Sequence, residues 1–157
     1  MLDGFAMNYL LDTNMVLIYT RESPMTRRIE QDLTLFDGTN DLFISVVTVA
    51  EIESLMLQRR YGEKKRESFR KLLSNLSIID VNIQEIITRY AEIDAYSQGK
   101  HPTRTLPSSS RNMGKNDLWI AATSSHYELV LVTTDQDFSH LESSFLSLIR
   151  VDIEDYR

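Results

Sequence analysis

With 157 residues, 42% apolar and 25% charged, the chain suits one domain that buries about two-thirds of its unfolded surface, and its composition is too ordinary for a disordered protein. The absence of cysteine excludes disulfides and thiolate metal sites and fits a reducing cytoplasm. A net charge of −6 argues against gripping nucleic acid by bulk electrostatics, although acids gathered in one cleft and neutralised by divalent cations give the same total.

The opening "MLDGFAMNYLL" lacks the basic segment and long apolar run of a secretory signal, and Met7 serves as well as Met1 for a start, which leaves residues 1–6 as an extension of a single domain over 1–157. "NYLLD" is a short apolar run closed by Asp12, the pattern of a buried strand whose end meets solvent. "TNMVLIYTRE" reads as a turn and the opening of a helix. Pro24 suits the first turn of another, running through "MTRRIEQDLTLF" to a turn at "DGTN". "LFISVV" is a second buried strand. "TVAEIESLMLQRR" and "EKKRESFRKLLSNL" form a helical hairpin over 52–75, broken at Gly62. "SIIDV" is a third strand and "IQEIITRYAEIDAYSQG" a long amphipathic helix. Residues 100–114 form a flexible loop; a helix from Asn116 and a strand "LVLVT" follow, with "SLIRV" as a fifth strand. No apolar run approaches the ~20 residues of a membrane span. Strands alternating with helices imply a mostly parallel sheet covered on both faces, with ligands outside the strands' carboxyl ends.

Acids collect at that edge. Asp12 closes the first strand, Glu51 lies in the first helical turn after the second, Asp117 begins the helix before the fourth, and Asp135 follows it, with Asp137 two residues on. Each has a bland explanation. Asp12, Thr13 and Asn14 cap a helix; Thr48 to Glu51 matches a capping box; Asp117 favours a helix N-terminus behind Asn116 as cap; "TTDQDF" is an Asx-turn. Caps, however, do not need to converge. Converging carboxylates raise their pKa values or recruit a cation, and oxygen ligands without His or Cys suit Mg²⁺ or Mn²⁺. The chemistry implied is metal-assisted phosphodiester hydrolysis, with Thr13, Asn14, Asn116 and Thr133 or Thr134 orienting the carboxylates.

"LLDTNMVL", "SVVTVAEIESL", "GKNDLWIAATS" and "LVLVTTDQDF" resemble, in order and spacing, the motifs of the PIN-domain ribonucleases, with the nearest likeness to the VapC toxins of bacterial type II toxin–antitoxin pairs. The resemblance runs from about Met7 to Val151. It implies a three-layer α/β/α sandwich with a central sheet of about five strands. It also implies a Mg²⁺- or Mn²⁺-dependent endoribonuclease that cuts tRNA or rRNA and stops translation in the cytoplasm. The acidic site carries over to Asp12, Glu51, Asp117 and Asp135, with the metal on Asp12, Asp117 and Asp135 or, in place of the last, Asp137. The hydroxyl beside the last acid maps to Thr133 or Thr134. A homodimer, or a hetero-oligomer with a VapB-like antitoxin whose C-terminal segment reaches the acidic pocket, is the implied assembly.

The segment 58–71 carries seven basic residues against two acidic ones. It reads as an RNA-phosphate surface with Tyr61 free to stack on a base, as a solvated helix face, or, by the resemblance, as a clip that grips the antitoxin. Arg104, Arg111 and Lys115, in and just after the 100–114 loop, either hold substrate phosphates or keep the loop soluble. Trp119 reads as core, and His101, His126 and His140 show no ligand spacing. Rival folds fit less well: a dehalogenase-like domain needs Asp where Asn14 stands, and a receiver-like domain needs paired early acids and a late Lys. A catalytically silent PIN domain acting as an RNA- or protein-binding module is the alternative from another class, though all four acids are present.

Overall fold

A computed structural model describes residues 7–157. A five-stranded, all-parallel sheet runs in the order β3-β2-β1-β4-β5, built from β1 (Asn8–Leu11), β2 (Asp41–Ser45), β3 (Ser77–Ile79), β4 (Val130–Thr133) and β5 (Ser147–Arg150). Between them lie α1 (Thr13–Arg21), α2 (Pro24–Leu33), α3 (Val46–Gln58), α4 (Glu63–Leu73), α5 (Gln84–Ser97) and α6 (Lys115–Tyr127).

Alternation along the strands makes the sandwich. Leu10 and Leu131 face a core filled by Ile86, Ile93 and Tyr96 of α5 and Leu118, Ala121 and Ala122 of α6. Their neighbours Leu11 and Val132 face the opposite core, with Met15 and Val16 of α1, Ile29 of α2, Ile52 and Met56 of α3 and Phe69 of α4. The strands are therefore apolar on both faces, as a doubly covered parallel sheet requires. Phe69, fully buried, fastens the α3–α4 hairpin to this core.

The chain builds outward from β1 through β2 to β3, then crosses back to lay β4 on the other side of β1. The carboxyl ends of β1 and β4 thus border the point where the direction of growth reverses, the usual place for a ligand crevice in such sheets.

Several element ends differ from expectation. β2 stops at Ser45, and Val46 and Val47 open α3, because the Ser45 side chain accepts the Val47 N–H and starts the helix there. The Thr48–Glu51 pattern is accordingly not a capping box: Thr48 sits inside the helix and is fully buried. α2 ends at Leu33, where Thr34 turns left-handed at φ 49°. α6 begins at Lys115 behind Gly114, so Asn116 is not its cap.

Candidate metal centre

Asp12 is the first residue past β1 and is 4% exposed. Its N–H continues the sheet by donating to the Val132 carbonyl at 3.0 Å, which fixes its backbone against β4. Burying a carboxylate is costly unless donors meet it. Two do: the Thr13 N–H reaches Oδ1 at 2.7 Å, and the Thr133 hydroxyl reaches Oδ2 at 2.6 Å. Burial still dominates and raises the Asp12 pKa; the Thr133 and Thr13 donors oppose it, and the charges of Asp135 and Glu51 add to it. Thr133, at the end of β4, also accepts the Asp135 N–H at 3.0 Å. One hydroxyl therefore ties Asp12 to the loop that carries Asp135. Thr134, beside it, has no side-chain hydrogen bond among the described residues.

Glu51 comes from α3, which follows the other neighbour of β1. The Thr13 hydroxyl donates to Glu51 Oε1 at 2.8 Å and lies 3.1 Å from the buried Thr48 hydroxyl. The threonine pair bolts the first turn of α1 to the first turn of α3. Asn14, the next residue, is exposed and makes no side-chain hydrogen bond among the described residues.

Asp117 is the third residue of α6, whose start lies at this edge because the helix precedes β4 and runs back along it. Its Oδ2 is 3.6 Å from where a Cβ on Gly114 would stand, so the carboxylate lies against the turn that opens the helix. Asp117, Asp135 and Asp137 each offer one oxygen within 4.8 Å of the others. Burial, then the charges of Asp12, Asp135, Glu51 and Asp137, push Asp117 up to about 7. The other four acids therefore all act on one carboxyl group. The loop that brings the last two is an Asx-turn: Asp135 Oδ1 accepts the Asp137 N–H at 2.8 Å and caps a short 3-10 helix, Gln136–Leu141. Phe138 and Leu141 anchor that helix in the core.

The donor set is entirely carboxylate oxygen, which suits a hard divalent cation and no soft one. Burial and the neighbouring charges together raise Asp117, and a cation would relieve the repulsive part.

The remaining candidates scatter. Asn116 is exposed and, with Glu51, lines a groove along α3. Lys115 is exposed one residue earlier. Arg104 donates to the Ser144 carbonyl at 2.8 Å and lies 4.3 Å over the Phe145 ring, so it is engaged away from the acids. Arg111 is tied through its N–H to the Ser97 carbonyl at 2.8 Å. Trp119 packs against Tyr90 with ring centroids 4.4 Å apart. Tyr61 is packed against the core and covered by Lys65 Nζ at 4.5 Å, so it is not a free base platform. His140 has a positioning role that its sequence context did not disclose. Its Nε2 lies 2.7 Å from the buried Ser97 hydroxyl and clamps the 3-10 helix to the end of α5, while burial holds its pKa below the ordinary value. No local pattern signals that pair, because its partners lie on separate elements.

A PIN-domain family model matches residues 9–143. The chain belongs to the PIN-domain family. Solved structures with the same fold include VapBC2 from Rickettsia felis bound to a DNA fragment from their promoter (TM-score 0.70, 22% identity, covering 92% of this chain and 98% of that one). VapBC-1 from nontypeable Haemophilus influenzae gives 0.64 at 20% identity, covering 90% and 96%. VapBC-5 from Mycobacterium tuberculosis, of the VapBC family of toxin–antitoxin systems, gives 0.58 at 20%, covering 91% and 98%. No curated protein sequence matches. The PIN domain thus shares its fold over nearly its whole length with these chains. Among its described residues, no helix is long and apolar enough to cross a membrane.

Proposed function

We propose that this PIN domain is a Mg²⁺- or Mn²⁺-dependent endoribonuclease, the toxin of a type II toxin–antitoxin pair, which hydrolyses phosphodiester bonds of tRNA or rRNA and so inhibits translation in the cytoplasm. The observation that carries it is the gathering of Asp117, Asp135 and Asp137, with one oxygen of each within 4.8 Å of the others. Carboxylates held this close repel one another, and a cation between them would relieve that repulsion. Asp12, Asp117 and Asp135, or Asp137 in place of Asp135, would hold the ion. When bound, the ion polarises a phosphoryl oxygen and stabilises the leaving oxygen.

The protein's own groups do the rest. Thr133 keeps both Asp12 and the Asp135 loop in place, and Thr13 holds Glu51 by Oε1. Glu51 Oε2, which has no hydrogen-bond partner among the described residues, accepts the proton of the attacking water. Arg111 and Lys115, which precede Asp117 in the chain, would contact substrate phosphates. Likeness to chains of VapBC complexes supports a VapB-like antitoxin partner, in a homodimer or a hetero-oligomer.

The test is cleavage of total tRNA and rRNA by purified protein with Mg²⁺ or Mn²⁺, beside EDTA and Asp12→Asn controls. Discrete fragments that vanish in both controls are expected. No cleavage by folded, cation-bound protein would leave a silent binding module instead.

A further inference from the structure

The α3–α4 turn and the end of α1 enclose a groove lined by Arg21, Arg59, Arg60, Lys64 and Lys65 around Tyr61. Among the described residues, none of these five cations has an ion-pair partner. The acids of α4 are taken: Glu63 and Glu67 both bind Arg70, at 2.8 and 2.7 Å. The turn itself is fixed. Tyr61 N–H donates to the Met56 carbonyl at 3.0 Å, and Arg66 Nε donates to the Tyr61 carbonyl at 3.0 Å. A chain of net charge −6 has thus concentrated unpaired positive charge in one concavity with a rigid floor.

A separate groove lies along α3, nearer the acidic centre. It starts at Glu51 and Asn116, runs over Ala50, Ser54 and Leu55, and closes at Gln58. The basic groove is lined, Arg21 apart, by residues that follow Gln58 in the chain. At 1.5 Å per helical residue, Glu51 and Arg59 are about 12 Å apart along the axis, the reach of a few nucleotides. An acidic centre repels phosphates, so a polyanion needs an anchor beside it.

We infer that the Arg21–Arg59–Arg60–Lys64–Lys65 groove binds backbone phosphates of single-stranded RNA flanking the bond that is cut. The inference rests on the nuclease reading for what the strand is doing there, but its binding step does not. A single strand fits because duplex RNA is read across successive minor grooves by a wide face, whereas these cations share one corner. Phosphate contacts carry no sequence preference, so the groove supplies affinity and register while discrimination lies elsewhere.

The experiment is anisotropy of a labelled oligouridylate, in EDTA so that nothing is cut, titrated with salt. Single-strand binding loses about 0.7 in the slope of log K against log salt for each phosphate contact removed. Arg59→Gln/Arg60→Gln/Lys64→Gln/Lys65→Gln is expected to weaken binding at least tenfold and to flatten the slope by about 2–3, on that same scale. Arg70→Gln, whose charge is already paired, should leave both within twofold. Melting curves check that each variant is folded. Unchanged affinity and slope in the fourfold variant overturn the inference; if that variant instead loses binding to polyglutamate, the groove belongs to an acidic protein segment. RNA held through the groove but never cut with Mg²⁺ or Mn²⁺ would defeat the nuclease reading and leave this one standing.

Discussion

Thr133 joins two strand ends through one oxygen, giving its proton to Asp12 Oδ2 and accepting the Asp135 N–H. Removing the hydroxyl leaves a buried carboxylate short of a donor and frees the loop that bears two more acids. Groups of this kind typically govern metal affinity by 10–100-fold. Thr133→Val is therefore expected to weaken Mn²⁺ binding by about that factor in calorimetric titration, and Thr133→Ser to restore most of it; equal affinity in all three would show that the contact is incidental. The Asp117 carboxyl ionises near 3.8 when unperturbed but near 7 in the fold, chiefly through burial and then through the charges of Asp12, Asp135, Glu51 and Asp137. The folded state thus holds a proton that the unfolded chain has already released. The stability this gives is complete below about pH 4 and is lost as pH climbs through 7. Burial raises Asp12 in the same direction. Metal-free protein should melt lower at pH 8 than at pH 5, and Asp117→Asn should flatten that dependence and gain about 1–2 kcal/mol at pH 8, after discounting for solvent screening. A wild-type melting temperature that rises over the same range would refute the account.

Element by element, the helix ends are where local geometry has most to offer. Thr34 ends α2 at φ 49°, a conformation that a β-branched residue adopts at a cost and glycine adopts freely. Its side chain is exposed and bonds only to the neighbouring Leu33 carbonyl, so little is lost with it. Thr34→Gly should raise stability by about 0.5–1 kcal/mol in denaturant titration; a loss would mean that the hydroxyl outweighs the strain. The same ends mark the limit of what the chain discloses before folding. Strands such as "NYLL" and "LVLVT" are legible because a doubly covered parallel sheet writes itself as continuous apolar runs. "LFISVV" runs on too long for the same reason: Val46 and Val47 are as apolar as a strand wants, and Ser45 acts as a cap only once the helix is there to use it. Thr48 and Glu51 have capping-box spacing, yet they look across to Thr13 on another helix, a contact with no local signature. That acids gather at one edge was legible because Asp12 and Asp135 follow strand ends, and strand ends of a parallel sheet share an edge with the starts of the helices that carry Glu51 and Asp117. Which hydroxyl serves them, Thr133 and not Thr134, depended on which face of β4 is buried. The Ser97–His140 clamp was invisible, since 43 residues separate its partners.

At the scale of the molecule, the switch in strand order sets the chemistry apart from the framework. Two cores hold the sheet from either side, while its carboxyl edge collects carboxylates that no core interaction neutralises. The fold therefore carries a local instability that a bound cation should remove, and binding confined to the native state must appear as global stability. A cation at 100 times its Kd contributes about 2.7 kcal/mol by that linkage, and for a chain of this length each kcal/mol moves Tm by about 2–4 °C. Saturating Mg²⁺ or Mn²⁺ at pH 8 should accordingly raise the wild-type Tm by about 5–10 °C. Asp117→Asn starts higher in EDTA, because it lacks the repulsion, and should gain little from the cation, because it lacks the ligand. The two melting temperatures are expected to cross as the cation is added. A parallel rise in both proteins would place the ion elsewhere on the surface, and no rise in either would leave the acidic edge without the ligand its electrostatics demand.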